Sequence, residues 1–113
     1  MTTGKDSLLE LRDALRHFAA ERDWDQFHSP RNLAAALSVE AAELLEHYQW
    51  GEAANAEQVR EEAADVLLYL IRLADKLDID LAAAARDKIA LNAQKYPVEK
   101  ARGNARKYDR FHP

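Results

Sequence analysis

The chain has 113 residues, no cysteine, three glycines and a formal net charge of −4. Lack of cysteine excludes disulfides, thiol catalysis and sulfur-ligated zinc, and so few glycines leave no Gly-rich phosphate loop. The charged start, MTTGKDSLLELRDALRHF, and the absence of any apolar run of about 20 residues lead us to expect a soluble cytoplasmic protein with no membrane partner.

The net charge hides an asymmetry. Residues 1–85 carry 8 Lys and Arg against 17 Asp and Glu, whereas residues 86–113 carry 8 against 3. Nucleic-acid binding wants one large positive face, so no nucleic-acid partner is expected. The division suits a site where metal-binding acids meet phosphate-binding bases. A solvated basic end would give the same count.

The periodic segments are helical, with no strand alternation and no repeat. A first helix is expected over about Asp6–Ala20, with Leu8, Leu11, Leu15 and Phe18 on one face. Ser29 and Pro30 supply the cap and first position of a second helix, which should run to about Gln49, before Gly51. The polar stretch GEAANAE leads to a third, about Glu57–Leu77. Asp80 then caps a fourth, about Leu81–Lys95, which Pro97 ends. The sequence thus predicts an all-α fold, a bundle of four main helices in one domain spanning 1–113. Its helical core covers about 6–96, and its basic tail, 97–113, has little regular structure. The third helix contains VLLYLIRLA, apolar nearly all round. In a chain this short it should be both central and covered by a partner copy, so a homodimer or homotetramer is expected.

Two apolar stripes carry acids where core residues are wanted. Glu40 and Glu43 are three apart on the second helix, in the sector of Leu33, Leu37 and Leu44. Glu62 and Asp65 repeat the spacing on the third, beside Val66, Tyr69 and Leu73. Residues three apart project from neighbouring points, and the two stripes should face each other, so four carboxylates converge. Four like charges in a half-dry place repel and lose hydration. Few basic residues share these faces, although Arg72 and Lys76 can reach the rim. A cation is the natural partner, and all-oxygen ligands suit Mg²⁺, with Mn²⁺ the alternative. Magnesium usually keeps positions for phosphates, which points to a phosphorylated ligand. The competing reading is a solvated helix edge. A ferritin-like di-iron site would need histidine three residues after a ligand glutamate, and none stands there.

The acid pattern, EAAE then 18 residues then EAAD, resembles that of the MazG-like all-α nucleoside triphosphate pyrophosphohydrolases. The flanks FAAERDWDQFHSPRNL, ELLEHYQW, EEAADVLLYLI and NAQKYP…ARGNARKY look like the dCTP-pyrophosphatase branch of that family. The likeness covers roughly residues 15 to 108. It implies that Glu40, Glu43, Glu62 and Asp65 are metal ligands and the catalytic set. It implies that Trp24, Asp25, Gln26, Phe27 and His28 line a nucleoside pocket with Trp50 and Tyr69, and it puts Asn92 and Lys95 near sugar and phosphates. One departure stands out: Leu15 holds a position where relatives carry histidine. The expected activity is Mg²⁺-dependent hydrolysis of a nucleoside triphosphate, dCTP or a modified pyrimidine nucleotide, to monophosphate and pyrophosphate. Alternatives are a related enzyme for dUTP, damaged purine triphosphates or phosphoribosyl-ATP, and a non-enzymatic oligomerisation or nucleotide-binding module.

Overall fold

The computed structural model describes residues 6–107 and residue 109. Every regular element among them is helical, with four long helices. The chain forms two compact units divided between Asp80 and Leu81.

The first unit opens with α1, Ser7–Glu21, whose cap Asp6 accepts a hydrogen bond from the Leu8 amide. The helix ends in a left-handed turn. Asp23 stands at φ 53°, the Asp23 amide donates to the Ala20 carbonyl, and the Trp24 amide donates to Ala19 at 2.9 Å. This Schellman closure satisfies the last carbonyls of the helix and sets the position of Trp24. A short 3₁₀ turn, Asp25–Phe27, follows. Ser29 then caps α2, Pro30–Glu46, by accepting from the Asn32 amide. The helix stops at Glu46, short of the expected Gln49. Residues 47–50 tighten instead into i→i−3 turns, such as the Tyr48 amide onto the Leu45 carbonyl, before Gly51 at φ 142°.

Asn55 caps α3, Ala56–Lys76, accepting from the amides of Glu57 and Gln58. Helix α3 packs against both α2 and α1, so it is central within this unit. The core is small: Ala19, Leu33, Ile71 and Ala74 are buried, Leu33 to 1 % exposure. A charged residue, Arg72, is buried among them. A second left-handed closure ends α3. Asp78 stands at φ 56°, and the Ile79 amide donates to the Ala74 carbonyl.

The second unit contains α4, Leu81–Lys95, which buries no residue fully. The basic tail is more regular than expected. Pro97, extended at ψ 144°, caps a short α5, Val98–Ala101, whose turn is closed by the Ala101 amide on the Pro97 carbonyl at 2.9 Å. Proline cannot continue α4, yet its fixed φ suits a helix start.

Candidate metal and nucleotide site

The packing of α2 on α3 turns the two acid stripes toward one another. One oxygen each of Glu40, Glu62 and Asp65 lie within 4.8 Å of one another. Glu43 sits beside them, carboxyl to carboxyl with Glu40 and Glu62. Acids this close cannot all ionise cheaply. Glu40 is raised above the ordinary glutamate range first by the Glu62 carboxyl close beside it, then by desolvation. Glu43 is raised first by the Glu40 carboxyl. Glu62 Oε2 is buried, and no group among the described residues donates to it. His47 Nε2 stands 3.9 Å from the other oxygen of Glu62, beyond a hydrogen bond. A buried carboxylate oxygen facing only other acceptors costs free energy unless something positive meets it. The donor set is all oxygen, which suits a hard divalent cation.

Next to the acids lies a mostly apolar cavity of about 270 Å³. Leu15, Phe18, Trp24 and Tyr69 supply its apolar walls, and His28, Asp65 and Arg72 its polar groups. Trp24 is held edge-on to Phe18, centroids 5.7 Å apart, and to His28, 6.5 Å apart. Asp65 belongs to both places. It is one of the converging acids and also lines the cavity.

The five-residue stretch Trp24–His28 divides. Trp24 and His28 line the cavity, whereas Asp25 turns to a neighbouring charged hollow with Arg16, Arg72, Asp75 and Lys76. Lys76 bonds to Asp25 and holds its carboxyl below the ordinary range. The Gln26 amide donates to the carbonyl and carboxylate of Asp23, a local turn contact. Phe27 and Trp50 are exposed, Trp50 to 92 %, and neither lines the cavity. Asn92 and Lys95 lie half-buried on α4 in the second unit, and their role at sugar and phosphates rests on the resemblance. Sequence reasoning missed Phe18, Leu68 and Arg72 as cavity residues. Asp65, Leu68 and Arg72 follow each other at i, i+3 and i+7, and that periodicity was the available signal.

A family model described as MazG-like matches residues 35–111. The chain belongs to the MazG-like family. That match begins before the first acid pair and runs across both units. Among similar proteins, dCTP pyrophosphatase 1 of Rattus norvegicus is 43 % identical over 112 residues, covering 90 % of this MazG-like chain. The Homo sapiens dCTP pyrophosphatase 1 is 42 % identical over the same length. The chain spans 66 % of the length of each. The crystal structure of a pyrophosphatase from Archaeoglobus fulgidus matches with a TM-score of 0.75 and 39 % identity, over 86 % of this chain and 98 % of that one.

Proposed function

We propose that this MazG-like chain is a nucleoside triphosphate pyrophosphohydrolase acting on dCTP or a modified pyrimidine deoxynucleotide. One observation carries the reading: the converging acids and the aromatic cavity share Asp65. A base in the cavity would set its phosphates toward the carboxylates. The dCTP pyrophosphatase relatives support the choice of substrate, and a cavity of about 270 Å³ walled by Trp24 and Tyr69 suits a single flat ring.

Glu40, Glu43, Glu62 and Asp65 would hold the divalent cation, Mg²⁺ by the oxygen-only donor set, and the orphaned Glu62 oxygen is the clearest sign that they fit it. When bound, such an ion acidifies a coordinated water and neutralises phosphate charge. The chain's own part is to position and to move a proton. Water attacks the α-phosphorus, its new P–O bond replaces the bond to the β-phosphate oxygen, and pyrophosphate leaves with the electron pair. One of the converging glutamates takes the water's proton. Trp24 and Tyr69 hold the base, and the apolar wall from Leu15 to Leu68 keeps water from it. The family match spans both units, so we take 1–113 as one functional domain.

The test is a panel of nucleoside triphosphates with Mg²⁺, reading pyrophosphate against orthophosphate. We expect pyrophosphate and monophosphate, with dCTP among the best substrates. Glu43→Gln and Asp65→Asn should each lose turnover by at least a hundredfold while keeping the helical circular dichroism. Orthophosphate as the product, or near wild-type rates in both variants, would overturn the reading. Tight nucleotide binding with no turnover would favour a regulatory nucleotide-binding module.

A further inference from the structure

Behind the cavity lies a charged network that hydrolysis itself does not require. Arg72 is only 6 % exposed, and a guanidinium that deep needs acceptors for its donors. Its Nη2 donates to Asp25 at 2.6 Å, its Nη1 reaches Asp75 at 3.5 Å, and its Nε donates to His28 Nδ1 at 3.1 Å. The two acids each have a second cation. Lys76 bonds to Asp25, and Arg16 binds Asp75 through two bonds of 2.8 and 2.5 Å. Both carboxylates would therefore keep a partner without Arg72. His28 would not: the bond from Arg72 is its ring's one hydrogen bond among the described residues.

A guanidinium carries only donors and stays charged. The ring nitrogen facing it must offer its lone pair, so the proton of a neutral imidazole sits on Nε2. A doubly protonated ring would set N–H against N–H. Burial first, then the charges of Arg72 and Lys76, hold His28 below the ordinary histidine range, and Asp25 pulls the other way. The environment thus keeps the ring neutral, and Arg72 decides which nitrogen is the donor.

We propose that Arg72 is a positioning residue that fixes His28 as its Nε2–H tautomer, so that the cavity takes a base by a hydrogen-bond acceptor, a pyrimidine ring carbonyl. This rests on the nucleotide reading above. A carbonyl oxygen meets Nε2–H correctly, whereas an exocyclic amine would meet it donor to donor. The tautomer therefore orients the ring, with the carbonyl toward His28 and the amine away.

Two measurements test it. The first is a ¹⁵N–¹H correlation spectrum of the imidazole rings at pH 7 in the apo protein, with His28→Ala identifying the signal by its loss. We expect wild-type His28 to be neutral with its proton on Nε2, and Arg72→Met to show a mixture of tautomers. An Nδ1–H ring or an imidazolium in wild type overturns the proposal, as does an unchanged Nε2–H pattern in Arg72→Met. The wild-type spectrum needs no variant, so the proposal remains open to failure even if Arg72→Met does not fold. The second is dCTP hydrolysis with Mg²⁺ by Arg72→Met, His28→Ala and the double variant. Each single change should raise KM about tenfold and leave kcat within about threefold. The double variant should be no worse than His28→Ala alone, because Arg72 acts through that ring. Fully additive losses would show that Arg72 supports the fold alone, and would overturn the proposal. If the nucleotide reading itself fails, wild type shows no turnover while the spectra still report the tautomer.

Discussion

Glu40 and Glu43 stand out as single residues, because folding makes them hold protons more tightly than the unfolded chain does. Both are raised above 4.5, Glu40 chiefly through Glu62 and Glu43 chiefly through Glu40. A raised carboxyl adds stability that is fully present below its unfolded value and is lost as pH rises through the folded one. His28 works in the opposite sense. Its pKa is lowered from 6.5, so its stabilisation is present above that value and is lost as pH falls. The acid contribution is therefore read as the difference between wild type and Glu43→Gln. In metal-free protein, the melting temperature of wild type relative to Glu43→Gln should fall as pH rises from about 4.5 toward neutrality. Added Mg²⁺ should reverse that trend, raising wild-type melting more at pH 7.5 than at pH 5, because a cation competes with the protons these acids hold. Melting curves with chelator and with Mg²⁺ across this range check both. A relative stability that climbs with pH in chelator would show that the acids do not crowd one another.

At the level of elements, the helix starts were legible, and the helix ends less so. Ser29 caps and Pro30 follows where the side-chain chemistry says they should. The acid constellation was legible too, since period and spacing alone place two pairs on facing stripes. The end of α2 was missed by three residues, because the chain tightens into i→i−3 turns after Glu46. The ends of α1 and α3 fell within a residue of expectation, and only their left-handed closures were hidden, because aspartate, not glycine, takes that position at Asp23 and Asp78. The Arg72 network was hidden for another reason. Arg72 meets residues 44 and 47 positions away, and only packing brings a side chain of α3 to the turn before α2. The same turn explains why WDQFH did not act as one block: a 3₁₀ turn sends Trp24 and His28 to the cavity, and Asp25 elsewhere. The left-handed aspartates give a direct test. Left-handed backbone costs an L-residue about 1–2 kcal/mol, and glycine avoids it at an entropic cost of about 0.5–1 kcal/mol. Asp78→Gly should then stabilise by about 0.5 kcal/mol, and raise melting by about 2–4 °C for a domain of this size. Asp23 is the poorer choice, because its carboxylate also accepts from Gln26. Calorimetry showing Asp78→Gly clearly less stable would mean that the aspartate side chain gives more than its backbone strain costs.

For the whole molecule, the small core sets the question. The first unit buries few large side chains, while Leu45 and Trp50 remain 70 % and 92 % exposed, and Ile89 on α4 is 70 % exposed. Burying one large apolar side chain is worth about 1.5–3 kcal/mol, which is a sizeable part of the net stability of a domain. A contiguous exposed apolar patch marks a surface that another protein covers. No described helix is long and apolar enough to cross a membrane. A second copy of the chain is an economical partner, because a symmetric contact covers the same residues twice. We therefore predict a homodimer or homotetramer at micromolar concentration, with a melting temperature that rises with protein concentration. Trp50→Ala removes the most exposed indole without touching the buried core. It should lower the association constant at least tenfold, and leave the helical circular dichroism unchanged. Light scattering coupled to size exclusion reads the mass directly. A well-folded wild-type monomer at micromolar concentration, with melting independent of dilution, would show that the chain tolerates this exposed surface alone.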